Sequence, residues 1–426
     1  MAFGKGSFTA QDKILPGMYV NIKGETDVGS DIGVRGKVAV ALELDWAKDA
    51  GKIFKVTAQE FYKDSKKIFG YDYRDDAMKT LREIFKGATE VYIYRLNGTD
   101  AVAASAAEFA VAKCAGVRGD ALKVSVTNSV EGGYDVVTSL DGEVVDKQIN
   151  VTTETLKGND FVTFLDGIAL EVGDKLLEGG KNGTTVSKSD HVAFLTELES
   201  YQVNIVGYIG TDTEIATLYT RWVINQRDVY GNYMQGVLSN AANHEGIINV
   251  DDIAMIPWVM GKSAGCALNA SLQNVIYDGE VTPTKTYTQA DLEAALTAGK
   301  FVLHRVGDGF RVLADINSLV TIGGIKTDDY KYNQTIRVVD QIIFDGSQIW
   351  VNYFLGKVPS NEPGRLSFWS RIISMLNEYV GIGAIEEYDK NLVTVAEGTQ
   401  RGSVVMTIPV QVATMLEKAY VTIMVQ

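Results

Sequence analysis

The sequence has few of the residues on which disulfide and metal chemistry depends. Its 426 residues include only 2 cysteines and 3 histidines, which limits the sites it can build. Two cysteines exclude a disulfide framework and a cysteine-only zinc site. Cys114 and Cys266 lie among small or apolar neighbours, which predicts buried thiols. His191, His244 and His304 are far apart and share no ligand spacing. We therefore expect no metal and no cofactor.

Long apolar runs are also missing. No stretch reaches the roughly 18 apolar residues that a membrane-spanning helix needs. The first residues contain no apolar segment typical of a secretory signal, so we expect synthesis and folding in a bacterial cytoplasm. The formal net charge is −14, which repels a phosphate backbone. Membrane anchoring and nucleic-acid binding are therefore not expected.

Alternating helix and strand patterns occupy two separate stretches of the chain. Apolar strands are predicted at 36–44 and 90–96, with two helices between them. Thr57, followed three residues later by Glu60, forms a capping box that starts the first of these helices. The alternation resumes near residue 190, and residues 251–275 are expected to be helical and rich in small residues. This pattern is typical of an α/β layer with a parallel sheet.

A different pattern separates these two stretches. Alternating segments at 121–127, 134–140 and 143–151 are divided by glycine turns. Asp141-Gly142 between two such segments is a strong hairpin signal. No helical pattern interrupts them, so we predict a small all-β domain inserted into the α/β domain. Beyond residue 330 the pattern becomes helical again, with Asn361 expected to cap the last helix and two strands following it.

Together these patterns predict an α+β/α/β multidomain chain. Its expected parts are an N-terminal arm (1–35), an α/β core (36–97 and 189–329), an inserted β-sandwich or barrel (98–188), a C-terminal α+β domain (330–415) and a C-terminal arm strand (416–426).

Each arm contains a strand pattern without a neighbouring partner. Apolar and polar residues alternate over 16–23 and again over 419–426. A lone strand must join a sheet edge, which can belong to another subunit or to its own domain, and the pattern alone leaves both open. The candidate strand-addition residues are Met18, Tyr19, Val20, Asn21 and Ile22, and then Ala419, Tyr420, Val421, Thr422, Ile423, Met424 and Val425.

One segment resembles a catalytic motif. Residues 261–265 read G-x-S-x-G around Ser263, and His304 follows in the chain order of α/β-hydrolases. A nucleophile elbow needs a strand before the serine, however, and Pro257 fits a strand poorly. Tight packing of a helix rich in small residues is the simpler interpretation. A hydrolase using Ser263 stays the alternative function.

The order of parts resembles the contractile phage tail sheath family, as found in phages and defective prophages of Gram-positive bacteria. The resemblance rests on residues 16–21, 35–46, 115–122 and 417–423. It implies a structural protein, not an enzyme, that forms stacked hexameric rings around an inner tube. The implied partners are other copies of the chain, the inner tail tube protein, and baseplate and tail terminator proteins, within a virion tail or a released contractile bacteriocin-like particle.

The resemblance also implies how such a particle works. The arms would insert into a sheet of the C-terminal domain of neighbouring subunits, and the metastable sheath would contract to drive the tube through an envelope. By analogy the C-terminal domain faces the tube. We therefore hypothesise that Lys357, Arg365 and Arg371, near the helix predicted at 362–379, form weak charge pairs with it.

Overall fold

The computed structural model of the protein describes residues 4–6, 17–19, 32–47, 51–324 and 326–425, and only the backbone of the first two ranges. The strands are β1 (Gly4–Gly6), β2 (Gly17–Tyr19), β3 (Lys37–Leu42), β4 (Ile53–Thr57), β5 (Glu90–Arg95), β6 (Ser105–Ala106), β7 (Ala110–Ala112), β8 (Leu122–Asn128), β9 (Tyr134–Leu140), β10 (Glu143–Val151), β11 (Val162–Phe164), β12 (Gly173–Leu176), β13 (Ile205–Gly207), β14 (Gln235–Leu238), β15 (Ile247–Val250), β16 (Lys300–Phe301), β17 (Leu303–Val306), β18 (Gly309–Val312), β19 (Thr394–Glu397) and β20 (Val404–Thr407). The helices are α1 (Ala58–Phe69), α2 (Lys79–Phe85), α3 (Lys188–Leu198), α4 (Thr213–Asn225), α5 (Ile256–Gly265), α6 (Gln289–Thr297), α7 (Asn333–Ile349) and α8 (Glu362–Gly381), with π turns at Gln226–Tyr230 and Trp350–Phe354 extending α4 and α7.

A seven-stranded sheet forms the centre of the molecule, in the order β16-β15-β14-β13-β3-β5-β4. Its strands are parallel except β4, which pairs antiparallel with β5 at one edge. Helices cover both faces: Phe61, Ile84 and Trp258 of α1, α2 and α5 pack on one side, while Phe194 and Tyr219 of α3 and α4 pack on the other. This is the two-sided burial that a parallel sheet requires.

The sequence located most of these elements but missed the short ones. The strands expected at 36–44 and 90–96 are β3 and β5, and Thr57 caps α1 through the expected box with Glu60. β4, β15 and α6 were not predicted. The expectation that 251–275 is helical is wrong beyond α5, because no helix follows Gly265 until α6. Strands of four or five residues are too short to show a clear periodicity.

Two antiparallel sheets lie between β5 and α3. Their orders are β10-β9-β8-β12 and β11-β7-β6, and they enclose an apolar cluster of their own. The three strands expected at 121–127, 134–140 and 143–151 are β8, β9 and β10, and Asp141 and Gly142 have the positive φ angles of 53° and 80° that their turn needs. The four short strands β6, β7, β11 and β12 were not predicted. The domain boundaries themselves stay predictions.

A buried arginine at the end of β5 contacts the β region. Arg95 is 2% exposed, and its Nη1 donates to the carbonyl of Ala115 at 2.7 Å. Asn182, on the returning connection, donates to Asp45 Oδ1 at 2.7 Å. A loop of the β region and the returning connection therefore both bind the end of the central sheet, which fixes where the β region emerges.

Candidate functional site

The C-terminal part of the molecule presents a two-stranded sheet with open edges. β19 and β20 pair only with each other among the described residues, in the antiparallel register Thr394↔Thr407 to Glu397↔Val404. Val404 and Met406 pack inward on the cluster formed by α7 and α8, while Val405 is 57% exposed. The outer edge of each strand therefore offers unpaired backbone donors and acceptors, which another strand can satisfy.

A groove lies beside the β19 edge. It has a volume of about 530 Å³ and runs between α8 and β19. Leu366, which is 59% exposed, and Trp369 supply its apolar side. The indole of Trp369 donates to the carbonyl of Val393 at 2.8 Å, which holds the hairpin against α8. An apolar wall beside an open edge suits a strand that buries alternate side chains.

The segment after β20 leaves the body and exposes apolar side chains. The Ala413 amide donates to the Ala384 carbonyl at 3.1 Å, and its own carbonyl accepts from Gln334 at 2.9 Å. Beyond these contacts the chain forms no helix or strand as far as residue 425. Its apolar residues are highly exposed: Tyr420 92%, Val421 77%, Ile423 82%, Met424 88% and Val425 92%. Such exposure marks an interaction segment.

The N-terminal strand pattern is paired within the chain. β2 pairs in parallel with β1, in the register Gly4↔Gly17 to Gly6↔Tyr19. The expectation that this strand stands alone is therefore wrong. Of the candidate residues, Met18 and Tyr19 lie in β2, whereas Val20, Asn21 and Ile22 lie outside the described residues. A two-stranded sheet still has two outer edges, so strand addition by this segment stays a prediction.

The three cations proposed to contact a tube lie on or near α8, and each has a contact within the chain. Lys357 Nζ donates to the Asn352 carbonyl at 2.5 Å. Arg365 lies 3.4 Å from Glu397. The Arg371 guanidinium stacks 4.8 Å from the centre of the Tyr353 ring. Their role stays a prediction.

An apolar turn beside these cations was not predicted. Val351, Tyr353 and Leu355 follow α7 and are each more than half exposed. The signal was present in the sequence as a hydrophobic run over 349–355 that only Asn352 interrupts, but such a run is equally typical of a buried helix end.

The G-x-S-x-G segment is a helix packed backbone to backbone. Ser263 is 0% exposed inside α5, with no strand leading into it. A Cβ at Gly261 would lie 1.9 Å from the Ile84 carbonyl oxygen, and one at Gly265 would lie 2.0 Å from the Gly87 oxygen. His304 faces the Arg311 carbonyl. The small residues therefore serve close contact between α5 and α2, as the simpler interpretation predicted.

The carboxyl edge of the central sheet carries connections of the β region. Doubly wound sheets bind their ligands at this edge. Here the Leu44 amide, just after β3, donates to Asn97 Oδ1 at 2.9 Å. The Gly183 amide donates to the Asn97 carbonyl at 2.9 Å. The two connections thus occupy the end of β3, where an α/β enzyme would hold substrate.

Asp228, His244 and Glu245 form the one group in the described part of the chain with the spacing of metal ligands. His244 Nδ1 accepts from the Gly246 amide at 3.0 Å, so Nε2 carries the proton and donates toward Asp228 at 3.2 Å. A metal-bound histidine shows the reverse, donating from its second nitrogen. Burial opposes ionisation of Glu245, but the hydrogen bond from Lys326 outweighs it and lowers the pKa. The group is therefore a charged hydrogen-bond cluster.

No described helix is both long and apolar enough to cross a membrane. Cys114 and Cys266 are buried thiols outside any disulfide, as predicted. An exposed apolar segment, an open-edged hairpin and an obstructed ligand edge together favour a protein that assembles with other chains.

Comparison with known proteins identifies the family. The Phage tail sheath protein central domain matches residues 184–318, the Phage tail sheath C-terminal domain matches 326–426, and the Tail sheath protein Gp18 domain III N-terminal region matches 35–96. The chain is 30% identical to the protein YqbK of Bacillus subtilis, over 99% of both chains.

Solved structures agree with these matches. The sheath tail protein of Desulfitobacterium hafniense is 29% identical, with a TM-score of 0.75 over 89% of this chain and 93% of that one. The contracted helical sheath of the anti-feeding prophage shares the fold at 12% identity, with a TM-score of 0.56 over 97% and 99% of the two chains. The chain belongs to the phage tail sheath family. It is a structural protein of the tail sheath, not an enzyme.

Proposed function

We propose that copies of this chain polymerise by strand addition into stacked hexameric rings around an inner tube, and that the resulting sheath contracts to drive the tube through a target envelope. The observation that carries the proposal is the segment 419–425, whose apolar side chains are exposed, while neither outer edge of the hairpin β19–β20 pairs with another described strand. Each chain thus carries both an unpaired strand segment and a sheet edge that can accept a strand, which is the requirement for a head-to-tail polymer.

Backbone pairing between subunits suits an assembly whose subunits change their packing. Backbone hydrogen bonds along a strand edge do not depend on which side chains flank them, so subunits can stay connected while their bodies repack.

The proposed partners are other copies of the chain, a tube protein, and baseplate and terminator proteins, within a tail or a released particle. Val20, Asn21 and Ile22, with Met18 and Tyr19, would make the second inter-subunit strand.

Truncation tests the proposal. Removal of residues 419–426 should leave the unfolding midpoint unchanged, because this segment contacts little, and should abolish polymer formation. Negative-stain electron microscopy would show striated hollow cylinders for the full chain and dispersed particles for the truncated one. A matched control is Val130→Lys, which changes a side chain that is 103% exposed in a turn of the β region. Cylinders formed by the truncated chain would refute strand addition by this segment.

A second experiment tests the tube contact. Reversal of charge at Lys357, Arg365 and Arg371 together should reduce co-assembly with an acidic tube, because three pairs worth about 0–1 kcal/mol each are lost. Co-sedimentation with the tube protein measures this. The control reverses three exposed lysines elsewhere: Lys55, Lys123 and Lys188. Equal co-assembly of both triple variants would remove these residues from the interface.

A further inference from the structure

The helix α7 buries an unusual number of polar side chains. Those that are less than 9% exposed are Asn333, Gln334, Thr335, Arg337, Asp340, Gln341 and Asp345. Buried polar groups in a native protein are held by hydrogen bonds, so the partners of these side chains show what the helix binds. They fall into three groups: the chain just before β3, the chain just after β20, and the body of the central sheet.

The first group holds the residues that precede β3. The Gly33 amide donates to Asp345 Oδ1 at 3.0 Å, and Arg35 Nη1 donates to Gln341 Oε1 at 3.2 Å. Tyr379 of α8 donates to the other oxygen of Asp345 at 2.6 Å, which fixes the carboxylate. A Cβ on Gly33 would lie 2.8 Å from a ring carbon of Phe344, so the backbone reaches α7 this closely only because residue 33 is glycine.

The second group holds the residues that follow the hairpin. Gln334 Nε2 donates to the Ala413 carbonyl at 2.9 Å. Tyr332, immediately before the helix, directs its hydroxyl to Glu417 Oε2 at 3.3 Å. Exposure is already 101% at Leu416, between these two contacts, and stays high beyond them, at 92% for Tyr420. The chain therefore leaves the body after Ala413, with one further side-chain contact at Glu417.

The third group joins α7 to the central sheet. Arg227 makes two hydrogen bonds to Asp340, at 2.7 and 2.9 Å, and Arg337 lies 2.7 Å from Asp315. All four side chains are buried. Breaking a buried ion pair is costly, so these contacts prevent α7 from moving independently of the sheet.

We propose that α7 anchors both arms: Asp345 and Gln341 fix the N-terminal arm at Gly33, and Gln334 and Tyr332 fix the C-terminal arm at Ala413 and Glu417. The inference rests on the proposed function, in which the arms link subunits. The two anchor points, near residues 334 and 345, lie about 16 Å apart along one helix. Force on either arm therefore reaches the same helix and, through its ion pairs, the whole body.

Hydrogen–deuterium exchange of the full chain tests the anchoring. Gly33→Val should accelerate exchange of residues 32–36 about five- to tenfold, because the added side chain pushes the backbone away from Asp345. Asp345→Ala should do the same, and Gln334→Leu should accelerate only 411–418. Ser347→Ala is the control, since this hydroxyl bonds within α7 to Ile343. The unfolding midpoint, measured in parallel, separates local release from global destabilisation.

Two results would overturn the anchoring. One is wild-type exchange of 32–36 and 411–418 as fast as that of 419–425. The other is exchange of 32–36 that neither Gly33→Val nor Asp345→Ala changes.

Electron microscopy then tests the consequence for assembly. The double variant Gly33→Val and Gln334→Leu keeps both arms intact, and we expect its polymer yield to fall at least fivefold. Unchanged yield despite faster exchange at both anchors would overturn the role of α7 in linking subunits. Failure of the wild-type chain to form cylinders would instead refute the proposed function, while the exchange result would still decide whether α7 holds the two segments.

Discussion

Arg227 and Asp340 form a buried ion pair with two parallel hydrogen bonds, Nη1 to Oδ2 at 2.7 Å and Nη2 to Oδ1 at 2.9 Å. Arg227 lies in the π turn that extends α4, and Asp340 lies on α7, 113 residues further along the chain. The pair therefore joins the helical layer of the central sheet to the C-terminal part of the molecule. Arginine suits this position because its planar fork matches a carboxylate.

Removal of one partner of this pair should destabilise the protein strongly. Arg227→Met leaves the Asp340 carboxylate buried without its cation, and we expect a loss of about 3–5 kcal/mol in the free energy of unfolding. Chemical denaturation measures it. The double variant Arg227→Met with Asp340→Leu should recover most of the loss. As a control, Lys188→Met breaks an exposed pair with Glu214 and should change stability by less than about 1 kcal/mol.

Acid should weaken the loop that follows β15. Burial opposes the charge of Asp251, but hydrogen bonds from Lys300, Lys285 and Tyr287 outweigh it and lower its pKa from 3.8 to about 2. A carboxylate with a lowered pKa stabilises the fold above its unfolded value and loses that contribution as pH falls through the folded value. We therefore expect Asp251 to contribute about 1 kcal/mol, after screening by water, that is lost between about pH 4 and pH 2.

Comparison with Asp251→Asn isolates this effect. The variant should lack the contribution of Asp251 at neutral pH, and its difference from the wild type should shrink below about pH 4. Urea denaturation at a series of pH values provides the measurement. A difference that stays constant down to pH 2 would contradict the prediction.

The same glycine-to-alanine change should have opposite effects on two helices. Gly261→Ala places a Cβ 1.9 Å from the Ile84 carbonyl oxygen, where backbone must move, so we expect a loss of about 1–3 kcal/mol or more. In α7, a Cβ at Gly346 meets its nearest atom, of Ile372, at 3.9 Å. Gly346→Ala should therefore stabilise by about 0.5–1 kcal/mol. Thermal unfolding would show the opposite shifts, and equal shifts would be inconsistent with backbone contact between α5 and α2.

One face of the C-terminal segment should matter more than the other for assembly. Val421, Ile423 and Val425 alternate with Tyr420, Thr422 and Met424, so a docked strand buries one set. We expect the side chains of Val421, Ile423 and Val425 to be buried, and Ile423→Lys to abolish polymer formation. Thr422→Lys, one residue away, should assemble. Neither change should alter the unfolding midpoint, because both positions are exposed. Sedimentation measures polymer formation. If Thr422→Lys abolished it and Ile423→Lys did not, the buried face would be that of Tyr420, Thr422 and Met424.

Local signals in the sequence were sufficient wherever the stabilising contact is local. The capping box of Thr57 and Glu60 and the hairpin at Asp141-Gly142 could be predicted from neighbouring residues, and both are present. Asn361 was likewise expected to cap α8, and its side chain accepts from the Gly364 amide at 3.0 Å. Each of these contacts spans at most three residues.

Contacts between residues far apart in the sequence could not be predicted from local patterns. The pattern of Met18 and Tyr19 indicated a strand, but its partner β1 has no distinctive pattern, so the strand was expected to stand alone. The anchoring of Gly33 was missed because a glycine in a loop gives no sign of which helix it touches. The buried charges Arg227 and Asp340 resembled ordinary surface residues in the sequence.

The sequence by itself therefore determined the alternating layers, the β region between them, the family resemblance and the apolar alternation of residues 419–425. Those features depend on periodicity and on neighbouring residues, which the linear chain carries in full. Only the tertiary structure decided that α5 packs on α2 through glycine backbone, that Ser263 is buried, and that α7 contacts both arms. Each of these depends on a contact between residues far apart in the sequence, and local sequence patterns do not show which distant residues meet when the chain folds.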